Sequence, residues 1–280
     1  MTAPEPSSGF ASSFSRLDRF DEFASVWDLS QPMFEEMPIH PRHPGFMLSL
    51  RTRHGDSYRK DGYSAANDLI IMCGHHGTHV DALGHVSING CLHGGVSVAQ
   101  GQSGRGLASG DIASTVAIVG RGLLIDAAGH RGLNALSPDA VITVDEVEQI
   151  LAIRNISPRP GDIYLFRSGW GQYWDRPKIY YPQDGCAQPG PNGDVGRWLS
   201  AHGARAAGAD TMAFEHYETG RNTMPCHTEL LFESGINIIE NLNLESIAAA
   251  NVAEFLFVAT PLKMRGATGS PVRPIAIGAS

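Results

Sequence analysis

Charged residues are scarce in this sequence, and basic ones are outnumbered. Only 18% of the 280 residues are Asp, Glu, Lys or Arg, and 42% are apolar. An average domain carries about 25% charged residues, so this composition favours a large buried core and excludes intrinsic disorder. The net charge of −8 argues against a nucleic-acid partner, because such a partner requires Lys and Arg to neutralise phosphates.

Three further absences narrow the class of protein. No apolar run approaches the ~20 residues that cross a bilayer, so we expect no membrane partner. Residues 1–20 are rich in Ser and Pro and lack the basic start and apolar stretch of a secretion signal, which predicts a flexible arm and a cytoplasmic protein. No Cys-x-x-Cys pattern joins the four cysteines, so free thiols are expected; they are Cys73, Cys91, Cys186 and Cys226.

Glycine, by contrast, is abundant, with 32 residues and no repeat period. It favours many tight turns between short elements. Apolar runs bounded by turn residues predict strands at Gly45–Leu50, Asp68–Cys73, Thr115–Val119, Gly122–Asp126, Asp162–Phe166, Ile236–Glu240, Phe255–Thr260 and Pro271–Ile277. Helices are predicted at Thr143–Arg154, Asp194–Ala201 and His227–Ser234.

The alternation of strand and helix predicts an α/β fold. Thr143 and Glu146 form a capping box at the start of the first helix, and Gly235 fits the end of the third. No linker, charge block or repeat interrupts the chain after residue 30. A single domain over residues 21–280 is therefore expected.

Histidines cluster in one short segment. Five of the twelve lie between residues 75 and 93, where an even spread would place fewer than one. An extended chain would project His75, His79 and Asp81 to one side, with Gly77 leaving room between the two imidazoles. Two imidazoles and one carboxylate suit Zn, Mn or Fe, and three protein ligands leave a coordination position open, as in catalytic sites.

Three more residues join this prediction. His85 lies four residues beyond Asp81, within reach of the open position, and its ordinary pKa near 7 suits a general acid or base. His227 opens a predicted helix and Glu240 ends a predicted strand. Both could reach the same edge of the sheet as the first cluster.

Together these motifs resemble the cyclase family of metal-dependent hydrolases, which includes kynurenine formamidases, isatin hydrolases and trans-dienelactone hydrolases. The resemblance rests on the His-x-Gly-Thr-His-x-Asp motif, His85, the late His227 and Glu240, and a closing Ser-Pro-Val-Arg at 270–273. It extends from about residue 26 to residue 278.

The resemblance implies a swivelling β/β/α fold with a mixed sheet, assembled as a homodimer or homotetramer. It implies Zn or Mn, as one or two ions, held by His75, His79 and Asp81, with His227 and Glu240 holding the second ion. It also implies that His85 is the catalytic histidine. Trp27, in what looks like the family's opening strand, and His40, where kynurenine formamidases carry a stacking tryptophan, are the expected substrate-binding residues.

The resulting hypothesis is a hydrolase that opens a small, cyclic amide or ester, or an aryl formamide, with metal-activated water and His85 as general acid/base. Two alternatives remain open. One is a non-haem iron oxygenase that uses His79, Asp81 and His227. The other is a non-catalytic scaffold that binds metal.

Overall fold

A computed structural model describes residues 25–181, 187–217 and 223–278. The predicted arm at 1–20 and Cys186 lie outside these residues, whereas Cys73, Cys91 and Cys226 carry free thiols. In the described ranges the strands are Ser25–Asp28 (β1), Met47–Thr52 (β2), Asn67–Ile71 (β3), His79–Asp81 (β4), Gln102–Ser103 (β5), Gly106–Leu107 (β6), Ile118–Asp126 (β7), Val141–Ile142 (β8), Ile163–Arg167 (β9), Gly190–Pro191 (β10), Ala206–Ala209 (β11), Asn237–Glu240 (β12), Glu254–Ala259 (β13), Gly269–Pro271 (β14) and Ile275–Gly278 (β15).

The helices are short. The α-helices are Val98–Gly101 (α1), Ala127–His130 (α2), Val144–Ile153 (α3), Pro177–Tyr180 (α4), Gly193–Ala201 (α5), Pro225–His227 (α6) and Glu245–Ala249 (α7). A π-helix, Thr228–Glu233, continues α6. Among the described residues, no helix combines the length and apolar character that spanning a membrane requires.

Nine strands form one mixed sheet in the order β1-β15-β13-β7-β9-β11-β12-β4-β14. The four central strands, β7, β9, β11 and β12, run parallel, and the strands on either side join them antiparallel. The first and last described strands, β1 and β15, are neighbours. One sheet therefore includes strands from both ends of the described chain, which agrees with the predicted single α/β domain.

Both faces of this sheet are buried. In β9, Tyr164 and Phe166 belong to a hydrophobic cluster that includes residues of α3 and α5. Ile163 and Leu165 belong to a second cluster, formed with β13 and α7. A strand covered on both faces has a continuous apolar sequence, which explains why β7, β9 and β12 were predictable from apolar runs. The fourth central strand, β11, consists of alanine and glycine and is not among the predicted strands.

The predicted helices are confirmed, with one change. Thr143 caps α3 by accepting a hydrogen bond from the Glu146 backbone N–H. Gly235 has a φ of +67°, as a helix C-terminus often requires. The third helix begins at Pro225, two residues before the predicted start, and widens into the π-helix after His227.

Two predicted strand boundaries are wrong. The break expected between Val119 and Gly122 does not occur, because β7 is continuous. A Cβ at Gly122 would lie 2.2 Å from the Phe255 ring. Glycine at this position therefore makes room for an aromatic side chain and does not form a turn. The expected strand Pro271–Ile277 is divided into β14 and β15. Pro274 lies in the gap and has no N–H to donate to a neighbouring strand.

Candidate metal centre

Two antiparallel strands place three of the predicted ligands together. β4 pairs with β12 so that His79 lies opposite Glu240. His79 and Asp81 are two residues apart in β4 and therefore project to the same face. Val80, between them, is fully buried in the hydrophobic cluster on the other face.

His75 reaches the same point from a turn. The prediction of extended chain from 75 to 81 is wrong for its first half, because residues 74–78 form turns and bends before β4 begins. Gly77 has a left-handed φ of +60°, and a Cβ there would lie 3.0 Å from Cγ of Met33. The turn folds the chain back so that His75 Nδ1 lies 2.8 Å from Asp81 Oδ1.

His227, at the end of α6, completes the cluster. Its Nε2 lies 3.3 Å from Glu240 Oε1 and 3.7 Å from Asp81 Oδ2. His79 Nε2 lies 3.3 Å from Glu240 Oε2 and 3.4 Å from Asp81 Oδ1. Two groups of possible ligands result, His75–His79–Asp81 and Asp81–His227–Glu240, and Asp81 is common to both.

These donor atoms fit a divalent cation. Four of them are buried and make no hydrogen bond of good geometry, although imidazole nitrogens or carboxylate oxygens lie near them: His79 Nε2, both Asp81 carboxylate oxygens and Glu240 Oε1. Unsatisfied buried polar atoms are costly, and a bound cation would satisfy all four. Tetrahedral zinc with bonds of 2.0–2.1 Å separates its ligand atoms by about 3.3 Å, close to the distances found here.

Hydrogen bonds turn the imidazoles toward the centre. His79 Nδ1–H donates to the Gly77 carbonyl at 2.9 Å, which leaves Nε2 free as a ligand atom. His227 Nδ1–H donates to Glu215 Oε1 at 2.7 Å, with the same result. His75 contacts Thr268 Oγ1 through Nε2, so that its Nδ1 faces Asp81. Such outer contacts fix the tautomer and orientation of histidines that bind metals.

Neighbouring charges set the protonation of the groups in this centre. Burial opposes ionisation of Asp81, but the neighbouring His85 and His75 hold the pKa of this carboxyl well below its usual range. Burial likewise opposes protonation of His79, but Asp81 and Glu240 raise its pKa to about 10. The site is therefore built to hold positive charge next to two buried carboxylates.

His85 lies beside the ligands and belongs to neither ligand group. It follows β4 in a short 3₁₀ turn, Leu83–His85, and its ring centroid lies 4.2 Å from that of His75. Burial lowers the pKa of His85 to about 4, and the neighbouring His75 and His227 contribute to this effect. The side chain is therefore neutral near pH 7 and can accept a proton.

A cavity of about 660 Å³ opens over the centre. His75, His79, His85, His227 and Glu240 form part of its wall. Its volume lies within the ~300–1,000 Å³ range of small-molecule sites. A more open depression of about 830 Å³ adjoins it and shares His227.

The structure separates the two predicted substrate-binding residues. His40 lines the cavity, where its ring lies 5.8 Å from that of Tyr181. Trp27 lies in β1, next to β15, and packs against the second hydrophobic cluster. It is not among the described residues that line the cavity.

Sequence reasoning missed the role of Glu215. This buried carboxylate accepts hydrogen bonds from the His227 imidazole and from the backbone N–H groups of Cys226 and His227. Asp210, which directly follows β11, has a different role and accepts hydrogen bonds from Ser168 and Gly169. It stabilises the turn after β9.

Comparison with known proteins places the chain in a family. The family model "Putative cyclase" matches residues 27–216. A kynurenine formamidase of Sphingopyxis alaskensis is 25% identical over 250 residues, which cover 89% of this chain and 96% of that protein. Cyclase-like protein 3 of Oryza sativa subsp. japonica is 25% identical over 218 residues, covering 78% of this chain and 68% of that protein.

Solved structures also share the fold of this chain. The crystal structure of a novel cyclase superimposes with a TM-score of 0.82 and 26% identity, covering 93% of this chain and 91% of the other. Isatin hydrolase A from Labrenzia aggregata, bound to benzyl benzoate, shares the fold with a TM-score of 0.71 and 22% identity, covering 92% and 94% of the two chains. Since the family model covers more than half of the sequence, the chain belongs to the cyclase family.

Proposed function

We propose that this protein is a metal-dependent hydrolase that opens a small, cyclic amide or ester, or cleaves an aryl formamide. One observation carries the proposal: five residues form two ligand groups that share Asp81, and a neutral histidine, His85, lies beside them in the cavity wall. The relatives named as a kynurenine formamidase and an isatin hydrolase support this class of substrate.

The five residues that would hold the metal are His75, His79, Asp81, His227 and Glu240. Their nitrogen and oxygen donors suit Zn or Mn, as one ion or as two sharing Asp81. When bound, such a cation lowers the pKa of a water molecule and polarises a carbonyl group. The residues of the chain must then position the substrate and move the protons.

His85 would move these protons. Its neutral imidazole accepts a proton from the attacking water and transfers it to the leaving nitrogen or oxygen of the substrate. Hydrolysis of a cyclic substrate keeps both parts in one molecule, so a single cavity can hold the substrate and the product. The aromatic rings of His40 and Tyr181 belong to the cavity wall, where a planar substrate can contact them.

The donor set favours the hydrolase over the iron oxygenase. An oxygenase triad of His79, Asp81 and His227 would leave His75 and Glu240 without a role, although both contact the same centre. A scaffold that binds metal without turnover is the remaining alternative, and the same experiment tests it.

The experiment measures hydrolysis of an isatin, a lactam, a dienelactone and an aryl formamide. It compares metal-stripped protein with protein reconstituted with Zn or Mn. We expect turnover only after reconstitution. His85→Ala should keep its metal, because His85 is outside the ligand set, and should lose at least about 100-fold in turnover, the usual contribution of a general acid or base.

His130→Ala is the matched control, because His130 is exposed at the end of α2 and away from the cavity. It should retain both metal and turnover. Equal activity in stripped and reconstituted protein would refute metal dependence. Tight metal binding without turnover on any substrate would favour the scaffold, and metal loss in His85→Ala would make His85 a ligand instead.

A further inference from the structure

Tyr180 is a buried tyrosine that the proposed chemistry does not use. It ends α4 and is fully buried in a hydrophobic cluster that includes Trp170 and Trp174. Its ring packs edge-on against Trp174, with the ring centroids 5.2 Å apart. Its backbone carbonyl accepts a hydrogen bond from Gln188 Nε2 at 2.7 Å. The packing and this hydrogen bond fix the residue, so its hydroxyl has a defined position.

The hydroxyl of Tyr180 contacts the residue that directly follows Glu240. It donates to Asn241 Oδ1 at 2.8 Å and lies 3.0 Å from the backbone carbonyl oxygen of Asp210. Burial, together with the charges of Asp210 and Glu240, holds the pKa of the Tyr180 hydroxyl well above its usual range. The hydroxyl therefore keeps its proton at neutral pH and acts as the donor to both oxygens.

The side-chain amide of Asn241 joins Tyr180 to the turn before β4. Asn241 is 2% exposed, and its Nδ2 donates to the Gly77 carbonyl at 2.9 Å. Because a carbonyl only accepts hydrogen bonds, the amide must present its NH₂ group to Gly77 and its oxygen to Tyr180. Removal of the hydroxyl would leave this buried oxygen without its donor, which is costly. The hydroxyl of Tyr180 thus fixes one end of the amide.

The same Gly77 carbonyl orients a proposed metal ligand. It accepts a hydrogen bond from His79 Nδ1 at 2.9 Å, and His79 Nε2 lies 3.3 Å from Glu240 Oε2. Three hydrogen bonds therefore connect the Tyr180 hydroxyl to His79 through Asn241 and Gly77. Since Asn241 directly follows Glu240, these bonds also join the end of β12 to the start of β4.

We infer that Tyr180 is a positioning residue of the proposed metal centre: its hydroxyl holds the Asn241 amide, which holds the carbonyl that orients His79. This role rests on the proposed function, because it requires an ion for His79 to bind, but it does not depend on the identity of the substrate. Outer hydrogen bonds of this kind raise metal affinity because they orient the ligand before the ion arrives.

The test is Tyr180→Phe, which removes the hydroxyl and keeps the ring that packs against Trp174. Titration calorimetry with Zn²⁺ and with Mn²⁺ should show about 10-fold weaker binding than in the wild type, the lower end of the range for such outer contacts. The Co²⁺-loaded variant should also have an altered visible absorption spectrum, because the geometry of the ligands sets this spectrum. A purely structural role would lower the resistance to denaturation and leave both metal readouts unchanged.

Tyr164→Phe is the matched control. Tyr164 lies in β9 and is also fully buried, and its hydroxyl has no hydrogen-bond partner among the described residues. Loss of this hydroxyl should leave the metal affinity and the Co²⁺ spectrum unchanged. The comparison separates the loss of any buried hydroxyl from the loss of the hydrogen bond to Asn241.

A second variant tests the route through Asn241. Asn241→Gly removes the amide, and glycine tolerates the left-handed φ of +56° at this position. If Tyr180 acts through this amide, Tyr180→Phe/Asn241→Gly should bind metal as weakly as Asn241→Gly alone. Independent effects would add instead.

The outcomes separate this role from the proposed function. Wild-type metal affinity in Tyr180→Phe would overturn the role of Tyr180 and leave the hydrolase intact. Losses of affinity that add in the double variant would do the same. A wild-type protein that binds neither Zn²⁺ nor Mn²⁺ would overturn both.

Discussion

At the scale of single residues, the candidate metal centre depends on a carboxylate outside the proposed ligand set. Glu215 is 1% exposed, and its two oxygens accept three hydrogen bonds, one from the imidazole of His227 and two from backbone N–H groups at Cys226 and His227. It therefore fixes both the ring orientation of His227 and the start of α6. Carboxylates in this position also make a ligand histidine more basic.

We predict that Glu215→Gln weakens metal binding by about 10–100-fold. The amide keeps one acceptor oxygen but turns an NH₂ group toward a buried N–H donor, so that His227 loses its fixed orientation. Titration calorimetry with Zn²⁺ measures the affinity. Glu229→Gln is the control, because Glu229 lies on the neighbouring π-helix and accepts a hydrogen bond from Ser234; this variant should bind metal like the wild type. Equal affinities in all three proteins would contradict the role of Glu215.

The sequence identifies the proposed ligands more readily than the residues that orient them. His75, His79 and Asp81 form a dense local motif that predicts a metal site. The distant His227 and Glu240 are weak candidates alone and become strong ones only because of this motif. Glu215 carries no such signal. Its function depends on a loop that returns to α6 and places its carboxylate 2.7 Å from His227, and spacing of twelve residues does not encode that contact.

At the scale of elements, the turn before β4 links two segments that carry proposed ligands. The Gly77 carbonyl accepts hydrogen bonds from His79 Nδ1 and from the side-chain amide of Asn241. Asn241 directly follows Glu240 and has a left-handed φ of +56°. A displacement of this turn would therefore move ligands on both β4 and β12.

Gly77→Ala tests this link. Alanine at a left-handed φ costs about 1–2 kcal/mol, and its Cβ would also meet the Met33 side chain. Gly132→Ala is matched, because Gly132 has a φ of +67° and open space around it. In chemical denaturation we expect Gly77→Ala to lose more stability than Gly132→Ala. In a metal titration, only Gly77→Ala should bind metal more weakly than the wild type. If the two variants lost the same stability and the same metal affinity, the turn at Gly77 would have no specific role in the metal centre.

The same turn shows why element boundaries were harder to predict than element types. Spacing at i, i+4 and i+6 is compatible with a strand, and His75, His79 and Asp81 do converge, but the backbone reaches this result through a left-handed glycine. Gly77 and Gly122 illustrate the ambiguity: Gly77 makes a turn inside a predicted strand, and Gly122 lies inside β7 beside Phe255. Only tertiary packing distinguishes these two uses of glycine.

At the scale of the whole molecule, the metal centre lies where the sheet changes character. The parallel strands end at β12, and β4 joins antiparallel although it lies about 160 residues earlier in the chain. Local patterns predict the α/β class and the apolar strands, because the sheet is buried on both faces. They do not encode this distant pairing, which creates the site.

Removal of the metal should therefore destabilise the whole domain. Without a cation, the buried carboxylates of Asp81 and Glu240, 1% and 6% exposed, depend on protonated histidines for compensation. A ligand present at about 1,000 times its dissociation constant stabilises the folded state by about 4 kcal/mol. We expect the unfolding free energy of reconstituted protein to fall by about this amount after dialysis against a chelator. Asp81→Asn is the control, because it alters the residue common to both ligand groups, and the chelator should leave the stability of this variant unchanged. If the denaturation curve of the wild type were the same with and without chelator, the centre would contribute no stability to the fold.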